Sequence, residues 1–339
     1  MTMNDTGKNL LRAAAAFAVA LVFAFLAFLH HVQSPAGTGA GAVTLDIPKR
    51  ATVRQIADGL GRHGLLKSRF LFYALVYGKG LSGRLQAGEY EFSPAFSPLK
   101  ILGKMVRGEV KTYEVTIPED LTIREIAGRI GASMAIDEAR FMDLAADRRF
   151  LSSLGIDAPT AEGYLFPETY RFTRSMSAED MFRSMVREWQ WRVTPDLRQR
   201  AAALGLSTHE LMTLASLIGK ESRLVEEKPL VSAVFHNRLK KKMRLESDPT
   251  AVYSIEKTEK NVTSRDLRKD TAHNTYRIAG LPPGPIANPG IDSIHAALNP
   301  APVDHLYFVS KNDGSHHFSS TLAAHRQAVI KYQINKKKI

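Results

Sequence analysis

The sequence predicts an α+β protein in three parts: an apolar N-terminal helix, a small βα module and a larger α+β domain. Three observations carry that reading. Residues 13–29 hold no charged side chain and are almost wholly Ala, Val, Leu and Phe. A strand–turn–helix pattern occurs twice: Ile47-Pro48 leads to Thr52-Val53-Arg54-Gln55-Ile56-Ala57, and Ile117-Pro118 to Thr122-Ile123-Arg124-Glu125-Ile126-Ala127. From about Tyr113 the composition changes, with both tryptophans (Trp189 and Trp191), an aromatic strip and a Pro/Gly-dense stretch at 281–290. At 339 residues the chain can hold two soluble domains beyond an anchor.

With Leu10 and Leu11 the apolar run nears the roughly 17–25 residues that a spanning helix needs. Lys8 and Arg12 precede it, and no Lys or Arg follows until Lys49. That asymmetry keeps the N-terminus cytoplasmic and exports the bulk, as a single-pass protein. The competing reading is a cleaved signal peptide, because Ala40-Gly41-Ala42 resembles a cleavage site. A signal core, however, is about 7–15 residues, and the candidate site lies well beyond the run. Residues 33–44, rich in Ser, Pro, Gly and Thr, read as a flexible linker.

The module is expected at 45–110. LDIP forms a strand, Thr52 caps a helix, and Ile56, Leu60, Leu65 and Leu66 fill a core. A second helix follows over 68–77 and a closing strand over 88–92. Ser97-Pro98 opens another helix, which ends near Gly108. The second repeat copy, VTIP with Thr122, opens the larger domain at 111–339. There Ser207-Thr208-His209-Glu210 has capping-box spacing, and Leu211, Met212, Leu214, Ala215, Leu217 and Ile218 follow it. Glu221 lies three, four and seven residues after Ile218, Leu217 and Leu214, on the stripe they form. Burial there would keep its carboxyl protonated near neutral pH and able to donate a proton to a leaving group. The alternative is that Glu221 ends the helix and turns to solvent beside Lys220 and Arg223. A further helix is expected over 229–239. In 162–172, on an extended segment, Tyr164, Phe166, Tyr170 and Phe172 would share one face, suited either to sugar rings or to a core.

Composition narrows the function classes. The formal net charge of +12 suits anionic partners without naming one, and Lys240-Lys241-Lys242 and Lys336-Lys337-Lys338 read as solvated surface. No recognition-helix, zinc-finger or aromatic RNA-binding signature supports a nucleic-acid partner. The absence of cysteine rules out disulfides and thiolate catalysis. His316 and His317 lack metal-ligand spacing, so no metal and no cofactor are expected.

The strings EGYLFPETYRF (162–172), LASLIGKES (214–222), VFHNRL (234–239), RLESDPT (244–250), NTYRIAGLPPGPIANPG (274–290) and LYFVSKNDGSHHFSSTLAAH (306–325) carry a resemblance. In this order the chain resembles the endolytic murein transglycosylases from roughly Leu45 onward. These are inner-membrane enzymes that cut peptidoglycan strands. The resemblance implies a LysM-like peptidoglycan-binding module at 45–110, a periplasmic catalytic domain, glycan strands as substrate and, by extension, peptidoglycan synthases as partners. It places the catalytic glutamate on Glu221 and a cleft lined by Glu162, Asp248, Asn274 and Tyr276; Tyr164, from the aromatic strip, is read as a further substrate contact. Where the family commonly has Glu-Lys-Glu, this chain has Gly219-Lys220-Glu221, which leaves Glu221 as the one acid of the pair.

The chemistry is self-consistent. An ordinary glycosidase needs two carboxylates, whereas a lytic transglycosylase can use one. The acid protonates the oxygen between N-acetylmuramic acid and N-acetylglucosamine. It then takes a proton from the muramyl C6 hydroxyl, which attacks C1 as an intramolecular nucleophile. Asp248 either steadies the oxocarbenium-like charge or caps a turn before Pro249, and Asn274 either lines the groove or caps a turn. Two other functions remain at this level: a non-catalytic peptidoglycan-binding scaffold, and a water-using muramidase with Asp248 as second carboxylate.

Overall fold

A computed structural model of the chain describes residues 5–39, 41–253, 255 and 262–334. Ala40 of the cleavage-like tripeptide and the Lys336-Lys337-Lys338 run lie outside the described residues. The fold is mixed α/β, and the chain divides into two compact units, Met1–Tyr113 with Arg171–Ser175, and Glu114–Tyr170 with Met176–Ile339. The second unit lies within the expected 111–339 domain, and Arg171–Ser175 group with the first unit. The end of the aromatic strip, Arg171 and Phe172, is thus assigned to the first unit.

In the first unit the apolar run forms one helix, Asp5–Gln33. Its Lys8–Gln33 part, 26 residues at mean hydropathy 2.3, is long and apolar enough to cross a membrane. Leu10, Phe17, Phe23 and Phe25 stand exposed along it. The last turn behaves differently: Val32 is buried in the core of the unit and Phe28 packs against that core. Residues of the expected linker make contacts with the first unit. Gly37 N donates to Pro94 O at 3.0 Å, Ser93 Oγ donates to Gly39 O at 3.3 Å, and the first strand already begins at Val43.

Beyond it the order is β-α-α-β-α. Strand Val43–Ile47 pairs antiparallel with Gly88–Phe92, Val43 opposite Phe92 and Ile47 opposite Gly88. Between them come helices Val53–Arg62 and Arg69–Gly78, and helix Pro98–Arg107 follows. Each start is written in the sequence. Thr52 and Gln55 form a reciprocal capping box, Ser68 and Ser97 accept from N3 amides, Pro98 sits in the first turn, and Gly108 takes the left-handed C-cap. The core collects Leu60, Leu65, Phe72, Ile101, Leu102 and Met105 around Tyr90, whose ring stacks on Phe92 at 5.4 Å.

The second unit is mostly helical. Thr122 and Glu125 form a second capping box at the start of Ile123–Met134, matching the first repeat copy. Helices Glu138–Ala146, Ala178–Arg192 and Pro195–Ala203 lead to the central helix Thr208–Glu221, which opens on the Ser207/Glu210 capping box. Every residue from Leu211 to Gly219 is buried. The helix is thus buried all round rather than striped, as befits the middle of a domain. Helices Lys228–Lys240 and Ile291–Leu298 pack on it, and a hairpin of Tyr307–Ser310 and His316–Ser319 follows.

The aromatic strip is not one extended face. Only Thr169–Phe172 is strand, and Tyr164, Phe166, Tyr170 and Phe172 are all buried. Their alternation reflects core packing. His316 is held by Glu227, with its Nδ1 2.7 Å from Oε2 and its backbone N donating to Oε1 at 2.8 Å.

Candidate active site

Glu221 is the last residue of the central helix, and Ser222 follows as an extended C-cap. Unlike the nine buried residues before Lys220, Glu221 is as a residue only partly buried. One oxygen is taken: Ser247 Oγ donates to Glu221 Oε1 at 2.5 Å. Ser247 is itself fixed by a buried hydroxyl network. Its N donates to Thr275 Oγ1 at 2.9 Å, Thr250 Oγ1 donates to its O at 2.6 Å, and the two threonine hydroxyls lie 2.8 Å apart.

Asp248, the next residue, opens the short helix Asp248–Val252. Tyr276 OH donates to Asp248 Oδ1 at 2.6 Å. Burial pushes the Glu221 carboxyl up to about 7, the Asp248 charge adds to the rise, and the Ser247 hydrogen bond opposes it. A group in that range can give and retake a proton at neutral pH.

The structure therefore brings together Glu221, Asp248 and Tyr276, and supplies Ser247 as the link. Asn274 stands one step behind. Its Nδ2 donates to Leu267 O and Lys269 O at 3.1 and 2.6 Å, and its Oδ1 accepts from Tyr276 N at 3.0 Å. It shapes the loop that presents Tyr276.

Glu162, only 4% exposed, is saturated by the protein. Its carboxylate accepts from Ile123 N at 3.1 Å, Tyr253 OH at 2.9 Å and Asn288 Nδ2 at 2.8 Å. Burial pushes it up to about 7, against the lowering effect of those donors. It lies in the wall of a cavity of about 870 Å³. That cavity also touches Lys220, Pro249, Tyr253 and Ile286. Lys220 and Pro249 adjoin Glu221 and Asp248 in the chain, but Glu221 itself is not among the lining residues.

Tyr164 is elsewhere. Its OH lies 2.9 Å from His209 Nδ1 and its ring meets Trp189 edge-on at 4.8 Å. His209 is in the first turn of the helix that Glu221 ends, roughly 18 Å away along the axis at about 1.5 Å per residue.

Sequence reasoning did not single out Ser247, Thr250, Thr275, Tyr253 or Asn288. Asn288 is the hub of the wall. Its Oδ1 accepts from Gly163 N and Leu165 N at 3.0 and 2.9 Å, while its Nδ2 donates to Leu121 O and Glu162 Oε1. The available signals were modest: hydroxyl residues adjoining Asp248 and Asn274 within RLESDPT and NTYR, and one amide in an otherwise apolar PIANPG.

A single acid held near neutrality at a helix end, with a hydroxyl on one oxygen and a second carboxylate beside it, defines a candidate general acid–base site. The chain belongs to the YceG-like family, which it matches over residues 45–331. It is 34% identical over 306 residues to an endolytic murein transglycosylase of Bacillus subtilis, covering 86% of this chain and 84% of that one. An endolytic murein transglycosylase of Streptococcus pneumoniae is 28% identical over 322 residues, covering 86% of this chain and 58% of its own. The crystal structure of a YceG-like protein from Listeria monocytogenes superimposes with a TM-score of 0.59 at 32% identity. The match covers 86% of this chain and all of that one.

Proposed function

We propose that this chain is a membrane-anchored lytic transglycosylase that cuts the bond between N-acetylmuramic acid and N-acetylglucosamine inside peptidoglycan strands. Its products carry 1,6-anhydro ends. The observation that supports this most is the Glu221 carboxyl, raised to about 7 and held by Ser247 beside Asp248 and Tyr276. The names of the Bacillus and Streptococcus relatives point to the same substrate.

Protonated Glu221 gives its proton to the glycosidic oxygen as the C1–O bond breaks and N-acetylglucosamine leaves with that oxygen. The Asp248 carboxylate faces the positive charge that develops at C1. The Glu221 carboxylate, steadied by the Ser247 hydroxyl, then removes the proton of the muramyl C6 hydroxyl as that oxygen bonds to C1. The acid is thereby reset, and no water is consumed. Glu162 and Asn274 shape the groove from behind. Tyr164, at the far end of the helix, holds that helix in place and does not touch sugar.

In the same reading the Lys8–Gln33 helix is a single-pass anchor in the inner membrane, with Lys8 and Arg12 on the cytoplasmic side. The antiparallel β-α-α-β order of the first unit supports a LysM-like peptidoglycan-binding role for it.

Mass spectrometry of soluble fragments released from isolated sacculi by the purified chain tests the proposal. Anhydro ends are expected. Reducing ends would instead mean attack by water with Asp248 as second carboxylate, and binding without soluble product would mean a scaffold.

A further inference from the structure

Gly219 stands where the resemblance expects an acid. The structure shows what occupies that space: a Cβ built on Gly219 would overlap the carboxylate of Asp120. Asp120 reaches the helix from a distant loop by way of a left-handed backbone, φ 63°. An aspartate tolerates that conformation better than most residues. Its backbone is pinned on both sides. The N–H donates to Asn288 O at 2.8 Å, and the carbonyl accepts from Lys220 Nζ at 3.2 Å. The preceding Glu119 is lodged in the same way over Gly290, where a Cβ would overlap its carboxylate.

The electrostatic setting around Asp120 is cationic. Lys228 is buried and pairs with Glu119 at 3.2 Å. Lys220, Arg223 and Lys228 all act on the Asp120 carboxyl as nearby positive charges. Lys228 is the buried one of the three and has its ion pair with Glu119, whereas Lys220 and Arg223 are exposed. Asp120 supplies the second carboxylate. Burial nevertheless raises it to about 6, and its Oδ1 is enclosed with no hydrogen-bond partner among the described residues.

Position 219 faces away from Glu221, because two residues along a helix are about 200° apart. We infer that Asp120 is a positioning residue for Glu221, its carboxylate lodged through space on Gly219 and doing there what an acidic side chain at 219 would otherwise do. The glycine is then a requirement of this arrangement and not a weakness of the helix end. Asp120 and the residue at 219 form an exchangeable pair, in which the acid comes from one place or the other but not from both.

The test is a double-mutant cycle on the full chain in detergent, with Gly219→Glu, Asp120→Gly and their combination. Glycine at 120 keeps the left-handed backbone open. The rate readout rests on the proposed transglycosylase activity; thermal unfolding does not. Gly219→Glu alone puts two carboxylates in one space and should slow product release about a hundredfold, the scale of an ångström-level displacement of a catalytic group. Asp120→Gly alone should slow it about tenfold. The combination should recover to within about threefold of the parent, with the alkaline limb of the pH profile, which reads Glu221, back at its parent position.

Recovery of the thermal midpoint and of the limb in the double variant supports the inference. If Gly219→Glu does not fold, folding of the double variant supports it equally. Full activity of Gly219→Glu with Asp120 in place would overturn it, as would a double variant no better than the worse single one. If the parent releases no product, the function proposed above fails, while the thermal cycle still decides whether positions 120 and 219 exchange.

Discussion

Ser247→Ala separates the proton chemistry of Glu221 from its position. The Ser247 hydroxyl donates to Glu221 Oε1 at 2.5 Å, and this is the contact that opposes the rise of the carboxyl. A hydrogen bond to a charged group is worth about 1.5–3 kcal/mol, and part of that persists with the neutral acid. The difference between the two protonation states is therefore about 1.5–2 kcal/mol, or about one pH unit at 1.36 kcal/mol per unit. Losing a donor to the carboxylate disfavours its charged form, so the variant titrates higher than the parent's value of about 7. Glu221 must be protonated to act as the acid, so the alkaline limb of kcat/KM reports it in the free enzyme. Initial rates of muropeptide release from sacculi, measured between about pH 5 and 9.5, should show that limb moving up by about one unit. Ser247 is anchored by its backbone to Thr275 and Thr250, so the loop stays in place when the hydroxyl is removed. An unmoved limb, or one moved down, would refute the reasoning.

Three further outcomes follow from the same contacts. Asp248→Asn removes the charge that helps raise Glu221, so its alkaline limb should move down, opposite to Ser247→Ala, and the plateau rate should fall as well. Glu221→Gln should change stability with a defined sign. The folded carboxyl titrates at about 7 instead of 4.5, so its favourable contribution is complete below 4.5 and is lost as pH rises through 7. Glutamine has no such loss, and thermal unfolding at pH 8 should favour the variant by about 2–3 kcal/mol, with the advantage vanishing near pH 4. Asn288→Ala leaves the buried Gly163 and Leu165 amides without an acceptor and takes a donor from Glu162. Chemical denaturation should show a loss of about 3 kcal/mol or more, at about 1–3 kcal/mol per orphaned group.

Local chemistry was legible in the sequence wherever a few neighbouring residues decide the outcome. The Thr52 and Thr122 caps, the Ser207 capping box, the Gly88–Phe92 strand and the Pro98 start with the Gly108 stop all form where the spacing puts them. The position of Glu221 at the end of a helix was legible too. The helical stripe was not the right reason, since Leu211 to Gly219 are buried on every side. What the sequence could not convey was which polar groups satisfy one another across the fold. Glu162 is consumed by Ile123, Tyr253 and Asn288, and Tyr164 by His209, through contacts made only after the chain has folded. The same holds for Gly219. Read alone it loosens a helix, yet with Asp120 seated on it the residue becomes a close-packing position.

The central claim is that Glu221 stays protonated up to neutral pH in the folded protein. Side-chain carboxyl titration by carbon-13 NMR on glutamate-labelled protein tests it, assigned by difference against Glu221→Gln because Glu162 also titrates near 7. The signal lost in that variant should have its midpoint near 7 in the parent. A midpoint at or below 4.5 would contradict the account, since the carboxylate would then hold almost no proton to give at neutral pH.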